Sequence, residues 1–288
     1  MTNSSSFANL RRRLAPMIRP ILEHFPPVRF FAVRLLRLKQ SGKLQRCGLE
    51  FKLPSGDFGV TLEAESTGEY EPVTTELIQG LLNKGMTFVD IGAHVGLFTL
   101  PASQCVGSSG RVVAFEPHPD NFTMLLENIE QNSLPCKIEA IEFAVSDCST
   151  PVHLHMSTFN TGDHQLFHKG SRNTIEVQCT SLDHFFEVGT NIDVIKMDVQ
   201  GAEASAFRGM ERVLEENQGI KIVWELSPAQ LIDARSSASE VLHWLADRDF
   251  TCTIIDDAIG EVKKATIEEI LELCPNDSYL NILCSRDD

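Results

Sequence analysis

The chain has 288 residues, 42% of them hydrophobic, and a formal net charge of −15. That length buries a sizeable core in one α/β domain with additions. No stretch reaches the ~18 uninterrupted apolar residues of a membrane span, and so acidic a body argues against non-specific nucleic-acid binding.

The charge is unevenly spread, with +8 over residues 1–50 and −23 over the remainder. At the start, Met1-Thr-Asn-Ser-Ser-Ser leads into Arg11, Arg12 and Arg13, and no apolar run precedes a small-residue cleavage site. This pattern argues against a secretory signal and points to a cytoplasmic protein. Pro16, Pro20, Pro26 and Pro27 divide residues 1–40 into two short helical pieces. The second, Val28 to Lys39, alternates apolar and basic residues at near-helical spacing. Such a helix can lie on a membrane surface or bind an acidic partner. It can equally pack on the acidic body or on a second subunit, as in a homodimer. Residues 44–53 and 58–64 read as a strand pair around the turn Pro54-Ser-Gly-Asp57. They complete an N-terminal extension ending near residue 66.

From residue 67 to 288 a regular alternation begins. A helix is expected over Glu71–Asn83, then strands at 86–91, 111–116, 137–145, 192–198, 220–226, 251–255 and 279–284, with helices at 96–105, 119–131, 202–216, 237–248 and 266–273. Alternation of this kind implies a Rossmann-like α/β fold, with a seven-stranded, mostly parallel sheet covered by helices on both faces. The last strand, Tyr279 to Cys284, has no following helix and suits an antiparallel edge position. An insertion at about 150–180 interrupts the pattern. There Pro151–Met156 and Thr174–Cys179 read as strands flanking a polar loop with His164 and His168, and long loops of this kind are often functional. His153 and His155 share a strand face but lack an evident third metal ligand. The eight cysteines form no CxxC pair and read as reduced core residues.

The richest stretch is Phe88-Val-Asp-Ile-Gly-Ala-His-Val-Gly96. An apolar strand ends in Asp90, a turn carries Gly92, and Gly96 opens a helix. The next strand, Arg111 to Glu116, ends in a second acid and is stopped by Pro117. A carboxylate there can accept both ribose hydroxyls of a nucleoside cofactor. Gly92 lets the backbone pass close to a ligand and Gly96 lets the helix start pack tightly. The spacing is Gly-x-x-x-Gly, with His94 where the dinucleotide fingerprint has the glycine that meets pyrophosphate. That argues against NAD or FAD and for a ligand without phosphate. Asp90 is placed to contact the cofactor's amino end or to hold the turn. After the third strand, Ala144-Val-Ser-Asp147 sits where a base could lie flat, with Val145 packing on it and Asp147 capping the turn. Glu71 either closes over the cofactor or starts a helix.

Asp-Ile-Gly-Ala-His-Val-Gly, Phe-Glu-Pro-His-Pro-Asp-Asn-Phe, Ala-Val-Ser-Asp, Ser-Leu-Asp183 and Ile-Lys-Met-Asp-Val-Gln-Gly-Ala-Glu203, in that order, resemble the FkbM family of class I S-adenosylmethionine-dependent methyltransferases. The resemblance runs from about Gly68 to Ser227. It implies S-adenosyl-L-methionine as cofactor, held by Glu71, Asp90, Gly92, Ala93, His94, Gly96, Glu116, Pro117, Val145 and Asp147. The chain departs from the family pattern at His94, where Asn is usual, and at Gln200, where Glu is usual.

Methyl transfer needs a nucleophile aligned behind the methyl and water excluded; an alcohol must also lose a proton. Asp198 ends its strand, Glu203 opens the next helix and Glu225 ends the following strand. These are the candidate catalytic acids, Asp198 as base or substrate anchor and the other two orienting the acceptor. For Glu203 the alternative is a charge complementing a helix N-terminus. His164 and His168 are candidates to face substrate. Lys196 reads as an ordinary strand-end cation, and no metal is called for. The expected activity is O-methylation of a hydroxyl on a sugar, glycan or secondary metabolite. Alternatives are N-methylation of an amide or amine, including a peptide's, and a non-catalytic docking protein that keeps the cofactor fold.

Overall fold

The computed structural model describes residues 34–286 apart from 36, 168, 169 and 277. The first helical piece expected in residues 1–40 lies outside the described residues. Of the second, residues 34, 35 and 37–39 are described and helical, with Leu35 and Leu38 exposed. No helix among the described residues is long and apolar enough to cross a membrane.

The first strands, β1 (Lys43–Arg46) and β2 (Leu49–Lys52), form a tight antiparallel hairpin around Cys47 and Gly48. The pair expected around Pro54–Asp57 is therefore not formed, and Val60–Thr67 is a helix. Asp57 decides this locally: its Oδ2 accepts the Thr61 N–H at 2.7 Å and so ties up a free amide of the first helical turn.

The strands that follow are β3 (Thr87–Ile91), β4 (Arg111–Phe115), β5 (Ile138–Ile141), β6 (Ala144–Val145), β7 (Val152–His155), β8 (Thr174–Val177), β9 (Cys179–Thr180), β10 (Val194–Met197), β11 (Lys221–Leu226), β12 (Phe250–Asp256), β13 (Glu261–Ala265) and β14 (Leu280–Arg286). Among the described residues, eight of them make one sheet in the order β13-β12-β14-β11-β10-β3-β4-β5. The class is the expected one, but the arrangement differs in three respects, the first being that the sheet has eight strands rather than seven through the added β13. The final strand β14 does not sit at the edge; it lies between β11 and β12, antiparallel to both. The edge is β13, whose Glu-Val-Lys-Lys-Ala sequence is exposed and carries the lysines typical of a protected sheet edge. The expected strand 137–145 also breaks: β6 leaves the sheet and pairs with β9. In the insertion β7 and β8 form an antiparallel hairpin.

Alternation along the central strands sorts their side chains onto two faces. Val89, Ile91, Val113, Phe115, Ile195, Met197, Ile222 and Trp224 belong to one buried cluster, and Phe88, Val112, Ala114, Val194 and Val223 to the other. On the second face the register sets Asp90 beside both Ala114 and Lys196, and Lys196 beside Val223. Two residues further on, at or just past the strand ends, the same face carries Glu116, Gly92, Asp198 and Glu225 in one row. Asn281 of β14, paired with Glu225, continues it. The parallel register thus gathers the acids that end successive strands along the carboxyl edge of the sheet, where open α/β sheets bind ligands.

Candidate functional site

That row floors a cavity of about 530 Å³. Its cofactor end is built by the β3–helix turn. The Gly92 and Ala93 N–H groups both donate to the Phe115 carbonyl at 2.9 Å, which folds the turn over β4. His94 adopts φ 52° and Gly92 φ 83°. A Cβ on Gly92 would stand 2.0 Å from the Asp198 carbonyl oxygen. The close approach that demands glycine is therefore to the neighbouring strand end, its partner in the row, rather than to a ligand. Gly96 does as expected: a Cβ there would meet Leu100 and Leu125 side chains at 2.6 and 2.8 Å. It packs the helix start and does not line the cavity.

Glu116 faces the cavity at 5% exposure. Its Oε2 accepts the His94 N–H at 2.8 Å, and its Oε1 accepts the His118 N–H at 2.9 Å with a longer contact from Asn121 at 3.4 Å. Burial raises its pKa to about 7, against the lowering effect of these bonds. Asp90 is 1% exposed, accepts the Thr99 hydroxyl at 2.5 Å, and is raised by burial to about 6. Ala93, Pro117 and Val145 line the same end. Asp147 does not: its Oδ2 pairs with Arg208 at 2.8 Å on the surface, because the chain has already turned away after β6.

The insertion and the N-terminal extension roof this end together. Asp57 accepts the Thr161 N–H at 2.7 Å, and the Thr161 hydroxyl meets His94 Nε2 at 2.9 Å. His164 lines the cavity and stacks on His118 at 4.2 Å between centroids. Burial lowers both His94 and His164 to about 3, so both rings are neutral at pH 7. His94 Nδ1 and His164 Nε2 are buried without a hydrogen-bond partner. His168 lies outside the described residues.

The far end holds the remaining acids. Asp198 and Glu225 are joined by one amide group: Gln200 Nε2 donates to Asp198 Oδ1 at 2.5 Å and to Glu225 Oε1 at 3.1 Å. Gln200 itself sits at φ 52°, and its Oε1 accepts from Gln230 Nε2 at 2.7 Å. Glu71, at φ 41°, accepts from Asn281 at 2.9 Å. Burial raises Glu71 to about 8, with Lys196 opposing. Glu225 is also pushed well above the carboxylate range, first by burial and then by the charges of Asp198 and Glu71.

Glu203 is a correction. It is absent from the cavity wall and folds back on its own turn, accepting the Val199 N–H at 3.3 Å and the Gly201 N–H at 2.9 Å. The loop before its helix leaves those amides unpaired, and the nearest carboxylate takes them. Lys196 moves the other way. Expected as a strand-end cation pairing with these acids, it is 1% exposed, lines the cavity, and holds its ammonium 5.2 Å over the Phe98 ring. Burial opposes its charge, but Asp198, Glu71, Glu225 and Asp90 outweigh it and raise its pKa. Alternation could have found Lys196, two residues before Asp198 on the same face. Gln230, Thr161 and Tyr70 also line the cavity, and no sequence signal marked them.

A family model described as "Methyltransferase FkbM domain" matches residues 90–252. The hexuronic acid methyltransferase AglP of Haloferax volcanii is 28% identical over 130 residues, covering 44% of this chain and 50% of that protein. The chain therefore aligns with about half the length of that curated relative. Among solved structures, an rRNA methylase from Streptococcus thermophilus is 12% identical, with TM-score 0.44 over 75% of this chain and 95% of that one. A tRNA (uracil-54, C5)-methyltransferase of Pyrococcus abyssi, in complex with S-adenosyl-L-homocysteine, is 12% identical, with TM-score 0.42 over 84% of this chain and 43% of that one.

Proposed function

This chain belongs to the FkbM methyltransferase family, and on that footing we propose that it is an S-adenosylmethionine-dependent O-methyltransferase acting on a hydroxyl of a sugar, glycan or secondary metabolite. The cavity residues fit the cofactor. Glu116 offers a carboxylate at the ribose position, His94 lines the same end with its Nδ1 left without a partner, and the acid-rich wall suits a cation. Glu116 and Pro117 would hold the ribose, Ala144 and Val145 the base, and Asp90, Gly92, Ala93 and His94 the methionine end. When bound, S-adenosylmethionine supplies a methyl group already activated on a sulfonium.

The protein's work is then alignment and proton removal. The observation that carries the reading is the pair Asp198 and Glu225, held by the single Gln200 amide beside the glycine turn and inside the same cavity. Gln200 fixes one oxygen of Asp198. The other remains to take the acceptor's proton, and Glu225 orients the acceptor from the adjacent strand end. The roof formed by residues 57–60 and 159–162 excludes water. The acceptor named for the relative, a hexuronic acid, supports a sugar.

The test is methyl transfer to a hydroxyl panel beside an amine and peptide panel, followed by mass spectrometry, with Asp198→Asn as the variant. Turnover on hydroxyls should fall ~10²–10⁴-fold, the usual share of a general base, while cofactor affinity holds within threefold. Transfer confined to amines, or full turnover in Asp198→Asn, would overturn the reading. Failure to bind the cofactor at all would leave the docking alternative.

A further inference from the structure

We propose that the acceptor end of the cavity selects a neutral, hydroxyl-bearing ring over its carboxylate-bearing counterpart, with Gln230 as the residue that receives an acceptor hydroxyl. This rests on the O-methylation reading above and specifies its substrate.

The argument starts from where each donor at this end is already spent. Gln200 uses both amide hydrogens on Asp198 and Glu225. Gln230 directs its own Nε2 to Gln200 Oε1 at 2.7 Å and to Asp163 Oδ1 at 3.4 Å. What remains of Gln230 is its Oε1, buried and without a partner, on a side chain 9% exposed in the cavity wall. A buried amide oxygen left unpaired costs stability unless something donates to it.

The position is built, not incidental. Gln230 lies in the helix Pro228–Asp233 that follows β11, and Gly201, at φ 101°, lets the Asp198–Gly201 turn close on it. A Cβ on Gly201 would stand 2.9 Å from the Gln230 carbonyl oxygen and 3.0 Å from its Cβ.

The other polar groups at this end include Asp198, Glu225, Glu71, Glu63 and the Ser227 and Tyr70 hydroxyls, with Lys196 on the floor. The Gln230 amide oxygen can only accept, whatever the protonation of the acids that burial raises around it. One ring hydroxyl can give its proton to Asp198 while its neighbour donates to the Gln230 oxygen. A ligand carboxylate can donate nothing to it. It would also bring a further negative charge among acids whose one cation, among the cavity-lining residues, is the ammonium of Lys196 already set between four carboxylates. Tyr70 against Phe98, centroids 6.1 Å apart, gives an apolar wall for the C–H face of a ring.

The experiment uses the full chain with S-adenosylmethionine and paired probes, 4-nitrophenyl β-glucopyranoside and galactopyranoside against the matching glucuronide and galacturonide. Release of S-adenosylhomocysteine and product masses are read. The neutral glycoside should exceed its uronide by roughly 100-fold or more in kcat/KM, the scale on which an unmet buried hydrogen bond and a like charge discriminate. Gln230→Ala should raise KM for the neutral probe about tenfold, with kcat changing less. Gln230→Glu, which keeps an acceptor oxygen, should recover part of that loss. Cofactor affinity, measured by calorimetry, should stay within threefold in both, which separates a lost contact from a lost fold. Equal or better use of the uronide's hydroxyls would overturn this proposal and leave O-methylation standing. Methylation of neither glycoside, with transfer found only on amines, would overturn both. An unchanged KM in Gln230→Ala would remove Gln230 from the role.

Discussion

Replacing Glu116 by Gln changes one atom's chemistry at the point where the turn, the strand end and the ribose position meet. In the folded protein its two oxygens accept from two different backbone donors, the His94 N–H at 2.8 Å and the His118 N–H at 2.9 Å. Glutamine has one accepting oxygen, so in either orientation an NH₂ faces one of those amides. A charge-assisted bond is worth ~1.5–3 kcal/mol, and an orphaned buried donor costs ~1–3 kcal/mol. Two cofactor hydroxyls lose an anionic acceptor at the same time, one contact surviving as a weaker neutral bond. The net loss of cofactor binding is ~2–4 kcal/mol, or about 30- to 1000-fold in Kd. Calorimetry with S-adenosylhomocysteine at pH 8, where the wild-type carboxylate with its pKa of about 7 is ionised, makes the contrast largest. Near pH 6 wild-type Glu116 is itself mostly protonated, and the gap should narrow. A Kd within threefold of wild type at pH 8, in a variant with normal thermal unfolding, would refute Glu116 as the ribose acceptor.

Above about pH 6.5, where His94 and His164 are neutral in both states, the ligand-free protein should lose stability as pH rises to 8. Burial raises Glu71 from 4.5 to about 8, Glu116 from 4.5 to about 7 and Asp90 from 3.8 to about 6, so the folded state binds these protons more tightly than the unfolded one. Their stabilisation is complete below the unfolded values and disappears as pH passes the folded ones; thermal melts across that range should show Tm falling, and the cationic cofactor should flatten the fall. A Tm that climbs steadily from about pH 6.5 to 8 would contradict this. Gly92→Ala combines left-handed strain of ~1–3 kcal/mol with a Cβ placed 2.0 Å from the Asp198 carbonyl; melting and turnover assays should show both stability and activity reduced, and normal values in both would refute the packing argument. Glu203→Ala should destabilise by ~2–4 kcal/mol through the amides of Val199 and Gly201 it leaves buried, while kcat/KM of the folded variant stays within about threefold. A 100-fold kinetic loss at unchanged stability would return Glu203 to the chemistry.

The parts of the fold visible in the sequence are those written as repeated period. β3, β4, β10 and β11 announce themselves through long apolar runs, and the acids at their ends follow from one register. The misreadings share a different cause: the outcome depended on a hydrogen-bond or strand partner that composition and periodicity do not display. Val60–Thr67 reads as a strand, yet it is a helix whose Thr61 N–H is taken by Asp57 Oδ2. β14 looks terminal, yet antiparallel pairing inserts it between β11 and β12. Glu203 and Glu225 look alike as strand- or helix-end acids. Only the unpaired amides of the Val199–Gly201 turn, which capture one of them, tell the two apart.

Backbone strain is the remaining link, and single-residue patterns cannot display it. Outside glycine, left-handed φ is uncommon and costs energy, so it persists where surrounding structure enforces it, and it concentrates at functional sites. Here Glu71 at 41°, His94 at 52° and Gln200 at 52° all line the same cavity. Each delivers a polar side chain that an ordinary helical or extended backbone would turn elsewhere. Glu71 reaches Asn281 across the sheet, His94 presents its N–H to Glu116 and its ring to Thr161, and Gln200 spans Asp198 and Glu225. His94 and Gln200 also sit one or two residues from glycines, Gly92 and Gly96 around His94 and Gly201 after Gln200. Glycine at position 94 or 200 would relieve the strain and, by the same change, delete the imidazole or the amide. The two positions that part from the resembled pattern, His94 and Gln200, thus fall where a left-handed backbone aims a polar side chain into the site.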